Sequence, residues 1–431
     1  MTASVTHRTI EAVWRIETAR LIGGLTRIVR DVGLAEDLAQ DALVVALERW
    51  PESGVPENPG AWLMATAKYL AIDALRRSTR LERKHEQIAR EIGIQLAMDG
   101  SEVEAALDDQ IGDDVLSLMF MCCHPVLSAD ARIALTLRLL GGLTTTEIAR
   151  AFLVPEPTVA QRIVRAKRTL TQAKVPFEVP HGDELQDRLD SVLEVVYLVF
   201  NEGYTATAGE DWMRPLLCQE ALRLGRMLAA LAPREPEVHG LLALMELQAA
   251  RSPARVDAAG EPVLLLEQDR ARWDHAQVGR GLAALRAGAR AGAHGPGHGP
   301  YTLQAAIAAC HARARSAAET DWHEIARLYE ALARLVPSPV VELNRAVALA
   351  MAFGPAVGLE LVDALRSEPT LERYHLLPSV RGDLLAKLGR SAEARLEFER
   401  AAALTENRRE REALLRRAAD CATDPRTVAG P

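Results

Sequence analysis

Between residues 144 and 170 the chain sorts its apolar and polar positions into two short runs of helical period. Ile148, Ala149 and Phe152 give the first run one apolar face, and Leu153-Val154-Pro155 stops it, since proline cannot continue the hydrogen-bond ladder. Glu156, Pro157 and Thr158 open a second helix, whose first-turn amides have no internal partners, so Pro157 is tolerated there. Val159, Ile163, Ala166 and Leu170 recur at three- and four-residue spacing and are expected to face inward. Thr158, Gln161, Arg162, Arg165 and Arg168 are left outside, with Lys167 beside them. Two readings fit this pair taken alone. One is a helix-turn-helix that offers a basic helix to the DNA major groove, and the other is a hairpin of a helical repeat with a solvated basic face.

The same period runs through the rest of the chain. An amphipathic helix is expected over 15–30, a break at Val32-Gly33-Leu34, and a second helix over 35–50 with acids in its first turn, where the helix dipole favours them. A polar loop with three prolines (51–59) precedes a third helix over 60–77 that ends in basic residues. Residues 113–174 read as a compact helical domain, followed by a boundary at 175–182. Helices resume at 184–200, 215–231, 237–249 and 277–287. The Gly/His/Pro-rich stretch 291–300 reads as a loop with solvated histidines. From residue 301 the pattern is one of helical hairpins. Gly382, Leu385, Gly389, Ala394, Phe398 and Ala401 fall at the small and apolar offsets of a tetratricopeptide repeat, and Tyr329 with Pro337 supplies a partial second match. Residues 340–365 fit that register poorly. The fold class expected is all-α.

Composition agrees. The chain has 431 residues, 48% apolar and only 4% aromatic, which favours packed helices over sheets. No apolar run is long enough to span a bilayer, and the N-terminus lacks the apolar core of a signal peptide, so the expected location is the cytoplasm, with no membrane partner. Five cysteines argue against a disulfide framework. Cys122-Cys123-His124 lacks metal-ligand spacing and is read as buried thiols, so no metal is expected. The net charge of −8 argues against a nucleic-acid binder until it is divided along the chain. Residues 66–90 carry a net of +4 and residues 132–174 a net of +6, while 91–114 hold eight acids and no Lys or Arg. Local potential steers a polyanion more than the total does.

Asp37, Gln40 and Asp41 share one helix face by their spacing. Lys68, Arg76, Arg77 and Arg80 supply cations beside the aromatic surfaces of Trp62 and Tyr69, a combination that suits unstacked single-stranded bases, although Trp62 falls on the apolar side of its helix. The segments 35–43, 59–77 and 144–170 stand in the order and spacing of a sigma-70 family RNA polymerase sigma factor. More narrowly, the chain resembles the extracytoplasmic-function (ECF, group IV) type, which keeps only domains two and four. The resemblance implies that Asp37, Gln40 and Asp41 grip the β′ clamp of core RNA polymerase. It implies that Lys68, Tyr69, Arg76, Arg77 and Arg80 meet the −10 element, where Tyr69 replaces the Asn of many relatives. It also implies that Glu156, Thr158, Gln161, Arg162, Arg165, Lys167 and Arg168 meet the −35 element, with the β flap as a second polymerase contact. On chemical grounds Gln161 suits adenine and Arg162 or Arg165 guanine, while Lys167 and Arg168 suit phosphate.

The remainder exceeds a minimal sigma factor. Residues 197–207, 215–228 and 267–274 are similar to the C-terminal extension of one sigma subgroup, which carries an extra helical domain and tetratricopeptide-like repeats. The organisation implied is domain 2 at 8–83, an acidic linker at 84–112, domain 4 at 113–174, a helical domain at 183–290 and repeats at 301–420. The expected function is promoter-specific transcription initiation, with the extension regulating it in cis and its repeats taking an intramolecular or protein partner. The alternative is a helix-turn-helix regulator with a ligand- or protein-sensing repeat domain, acting without polymerase. Asn201, Glu202, Tyr204, Asp211, Arg214, Glu220, Asp269, Arg270 and Asp274 make a polar set, but no nucleophile–base pair, phosphate loop or metal spacing accompanies it. It is read as structural hydrogen bonding or an interdomain clasp, and the chain as a non-enzyme without cofactor.

Overall fold

The computed structural model describes residues 3–79, 113–152, 154–205, 213–257, 262–292 and 299–423, and in these the regular structure is helical. The linker expected at 84–112 and most of the Gly/His/Pro-rich stretch lie outside the described residues. The chain forms two compact units, Met1–Leu198 and Val199–Pro431.

In the first unit, α1 (Ala3–Val29), α2 (Val32–Ser53) and α3 (Pro59–Thr79) pack together. Along α2 the buried positions Val32, Ala35, Ala39, Ala42, Ala46 and Trp50 follow helical spacing, and α3 answers with Leu63, Ala67 and Ala71. The break between α1 and α2 lies at Arg30–Asp31, earlier than Val32-Gly33-Leu34. Arg30 takes φ 54°, and the Asp31 carboxylate accepts the Leu34 N–H at 2.8 Å, so capping by Asp31 starts the helix at Val32. The expected loop at 51–59 is also shorter. Pro51 lies inside the end of α2, which stops only where Gly54 turns to φ 86° and donates its N–H to the Trp50 carbonyl. Asn58 then caps α3 through the Ala61 N–H at 3.0 Å.

Residues 113–122 form α4, followed by α5 (Ala129–Leu139), α6 (Thr145–Phe152) and α7 (Glu156–Gln172). A reciprocal capping box starts α6: the Thr144 hydroxyl accepts the Glu147 N–H at 3.1 Å, and the Glu147 carboxylate accepts the Thr144 N–H at 2.8 Å. Cys122 and Cys123 are buried, with Cys123 Sγ 3.4 Å from the Thr136 hydroxyl. Burial holds the Cys122 thiol well above its ordinary pKa and pushes that of Cys123 up to about 11, so both stay protonated core groups. His124 Nδ1 accepts the Val126 N–H at 3.0 Å within the turn. The first unit continues into α8 (Asp183–Tyr204). There Arg188 donates to the Phe120 carbonyl and Ser191 to the Cys123 carbonyl, while Arg132 reaches both Ser191 and Glu194.

The second unit takes up the end of α8 and adds α9 (Pro215–Leu231), α10 (Pro236–Ala249), α11 (His275–Ala291) and α12 (Pro300–Arg313). Helical hairpins follow: α13 (Trp322–Leu335), α14 (Pro339–Phe353), α15 (Pro355–Ala364), α16 (Leu376–Lys387), α17 (Ser391–Leu404) and α18 (Arg408–Thr423). Leu385, Ala394, Phe398 and Ala401 are buried, as their offsets predict. Residues 340–365, which fit the register poorly, nonetheless form part of a hairpin turning at Gly354 (φ 106°). Its contact is small against small: a Cβ on Gly358 would stand 2.5 Å from Ala350 Cβ, so no large marker residue signals it. At the next hairpin a Cβ on Gly382 would stand 2.9 Å from the Phe398 ring. Gly382→Leu should therefore force α16 and α17 apart and cost about 1–3 kcal/mol. Urea unfolding of the full chain measures this, and an unchanged midpoint would refute the close approach.

Candidate polymerase and nucleic-acid interface

On α2, Asp37 and Asp41 are exposed one turn apart. Gln40 is half-buried, because its Nε2 donates to Glu36 Oε1 at 2.6 Å. Beside it opens a cleft of about 610 Å³ whose lining includes Ile10, Trp14, Gln40, Val44, Leu47 and Arg138. Glu36 is only 3% exposed and was not singled out from the sequence. Arg138 Nε of α5 stands 2.6 Å from its Oε1, and Lys167 Nζ of α7 pairs with its Oε2. The available signal was its place next to Ala35 and Leu38 on the apolar side of α2, where an acid needs a buried partner.

On α3, Tyr69 is 72% exposed and Arg76 is exposed. Lys68 is half-buried near Arg27 and Asp114. Burial, aided by Arg27, lowers its pKa, while burial raises that of Asp114 against the pull of Arg27 at 3.2 Å. Trp62 packs edge-on against the buried Trp50 at 5.3 Å, which puts much of its ring in the core. The Arg77 side chain and Arg80 lie outside the described residues.

α7 buries Val159, Ile163, Ala166 and Leu170 and exposes Glu156, Gln161, Arg165 and Arg168. Thr158 is half-buried. Two of the expected outward cations are engaged instead: Arg162 pairs with Asp130 at 2.9 Å, and Lys167 turns back to Glu36. Of the expected −35 residues, Glu156, Gln161, Arg165 and Arg168 are thus the ones left exposed to solvent.

Most described members of the polar set of the second unit pair with, cap or brace helices. Glu202 pairs with Arg214 and Glu220 with Arg223, Asp269 and Asp274 cap helices, and Arg255 lies 3.6 Å over the Tyr204 ring. Buried Arg270 donates to the carbonyls of His311 and Ala314 and to the Thr320 hydroxyl at 2.6–2.9 Å. Asn201 is exposed, and Asp211 lies outside the described residues. Among the described residues, no helix is long and apolar enough to cross a membrane.

Comparison with known proteins matches three segments of the chain. The sigma-70 region 2 model matches residues 17–81, the sigma-70 region 4 model residues 117–170, and a family of unknown function, DUF6596, residues 188–289. An uncharacterized protein of Rhizobium meliloti is 43% identical over 413 residues, covering 95% of both chains. A probable ECF RNA polymerase sigma factor, SigI, of Mycobacterium tuberculosis is 28% identical over 177 residues, 40% of this chain and 58% of that protein. Regions 2 and 4 stand in order on the two helical blocks of the first unit, and the helical remainder follows them. The chain belongs to the sigma-70 family of transcription initiation factors, in its extracytoplasmic-function type with a C-terminal extension, and that family implies core RNA polymerase and promoter DNA as partners.

Proposed function

We propose that the chain binds core RNA polymerase through the exposed acidic face of α2, with Asp37 and Asp41 toward the β′ clamp, and reads promoter DNA with α3 and α7. The observation that carries this reading is α7 itself: its four apolar positions are buried while Gln161, Arg165 and Arg168 face solvent at the helix-turn-helix of a region 4 match. The blocks divide the labour. Tyr69 and Arg76, with Arg77 and Arg80, serve the melted −10 element, and α7 serves the −35 duplex while the region 4 block meets the β flap. The action is binding rather than chemistry, and the helical extension from residue 183 onward regulates it in cis. A regulator acting without polymerase is disfavoured, because region 2 has no role in it.

Transcription in vitro with core polymerase, full-length against a chain ending near Lys174, tests the regulatory part. Identical output from a cognate promoter would count against it. Asp37→Ala with Asp41→Ala should lower core capture about tenfold, since each exposed charge contributes at most about 1 kcal/mol. A pull-down titration reads this, and capture unchanged by the double substitution would remove the α2 face from the proposed interface.

A further inference from the structure

Charge in the second unit is unevenly spread along the chain. Residues 275–318 hold five Arg and no Asp or Glu, in a chain that carries 59 acids. Three of those arginines lie on α11. Gly281 and Gly288 press the inner side of this helix onto α10: a Cβ at Gly281 would stand 2.7 Å from the Leu247 side chain, and one at Gly288 3.1 Å from the Pro236 carbonyl oxygen. The close approach fixes which side of α11 faces out. Its exposed positions are Arg280, Arg286, Arg290 and His275, and otherwise only alanine and glycine. By helical period, Arg286 and Arg290 share one strip with Gly279 and Ala283, and a Cβ at Gly279 would meet nothing within 4 Å. Arg280 stands at the edge of the strip, where Glu246 of α10 draws a fourth guanidinium beside it. That carboxylate is 2% exposed; Arg226 of α9 donates to its Oε1 at 2.7 Å, and Arg280 Nε stands 3.6 Å from its Oε2. The Arg226 and Arg280 side chains nevertheless stay 48% and 50% exposed. Asp274, at the helix start, is engaged as its cap and accepts the Gln277 N–H at 2.8 Å. Among the described residues, no carboxylate pairs with Arg286 or Arg290.

Four guanidiniums over one buried counter-charge make a local field that attracts a polyanion. A protein partner fits this surface poorly. The desolvated centre of a protein interface needs aromatic or large apolar side chains, and none of the exposed large apolar residues lies on α11. Phosphates need only the guanidiniums and room to approach, which the alanines and glycine between them leave. From Arg280 to Arg290 the helix rises about 15 Å, a length in which one duplex strand passes about four phosphates at about 3.4 Å of axis each. We propose that the exposed face of α11, with Arg226 beside it, is a further DNA-binding surface of the chain, which grips the phosphate backbone of duplex DNA without reading its sequence. The extension then adds affinity for the promoter, while α3 and α7 select the site. That the duplex is promoter DNA rests on the sigma-factor reading above; the attraction of α11 for a duplex does not.

The test compares the full chain with its variant Arg286→Gln plus Arg290→Gln, two exposed changes that keep helix-forming side chains. Each is bound to core polymerase and titrated with labelled promoter DNA at several salt concentrations. The variant should bind about tenfold more weakly, and its salt slope should fall by about two. Both changes should be the same on cognate and scrambled −35 sequences, because phosphate contacts carry no sequence information. Arg286→Lys with Arg290→Lys keeps the charges and should restore most of the slope, which separates charge from helix packing. The free full chain on a duplex without promoter elements should show the same loss at low salt. Unchanged affinity and slope in both settings would overturn the proposal. So would a loss of core capture with DNA binding unchanged, because the face would then dock on protein. If the parent itself captures no core polymerase, the sigma-factor reading fails, and the free-chain titration still decides the role of α11.

Discussion

Replacing Gln161 and Arg165 together by alanine is expected to lower promoter binding by the polymerase complex about 100-fold or more. Both side chains stand exposed on one face of α7 above a buried apolar stripe, so their loss should leave the helix packing intact. Each good bidentate contact to a base edge is worth about 1–3 kcal/mol, and two such contacts multiply. The loss should be confined to the −35 element: with a scrambled −35 sequence, the variant and the parent should bind alike. Arg168→Ala makes the contrast, because a phosphate contact carries no sequence information. It should weaken binding uniformly across sequences and reduce the salt slope by about one. Arg162→Ala should cost less than Arg165→Ala, since Arg162 is already paired with Asp130. Titration of labelled promoter fragments at several salt concentrations separates these outcomes. Equal losses on cognate and scrambled −35 DNA would remove Gln161 and Arg165 from the base-reading face.

The inward stripe of α7 was legible because period and composition agree, and all four predicted positions are buried. The outward set was legible only as a set. Spacing places Arg162 and Lys167 on a solvent side, but which acid arrives there from elsewhere in the chain is a tertiary fact. Glu36 shows the same limit from the other side. Its place on the apolar side of α2 calls for a buried partner, but that the partners are Arg138 and Lys167, more than a hundred residues later, is again a tertiary fact. Helix ends failed for a local reason. Asp31 caps earlier than the Gly33 break suggests, and Pro51 is carried inside a last turn rather than ending it. In the extension the hairpin with a large ring, Phe398 over Gly382, announced itself, whereas Gly358 against Ala350 did not. The polar set at residues 201–274 was legible in its chemistry, whereas the ion pairs, caps and helix braces that most of its members make are tertiary facts.

The same geometry predicts acid lability in the second unit. His311 is buried at the end of α12, its ring edge-on to Trp322 at 5.2 Å, with Nδ1 lacking a hydrogen-bond partner among the described residues. Its carbonyl accepts from Arg270, so a cation already stands at this point of the core. Burial, with the nearby Arg251 and Arg270 charges, lowers the imidazole pKa from 6.5 to about 4. The unfolded chain therefore binds a proton on His311 between those values that the folded chain refuses, and stability rises with pH across that window. The contribution is fully present above about pH 6.5, falls as the pH drops, and is gone below about pH 4. At about 1.4 kcal/mol per pH unit it amounts to roughly 3 kcal/mol. His311→Asn removes the titrating group at modest change in size. Urea unfolding of the full chain at pH 7 and pH 4.5 should show the parent losing about 2–3 kcal/mol more than the variant over that interval. Parallel losses in the two proteins would mean that the folded state admits the proton, and that the cage of Arg270, Trp322 and the end of α12 opens far more readily than its packing implies.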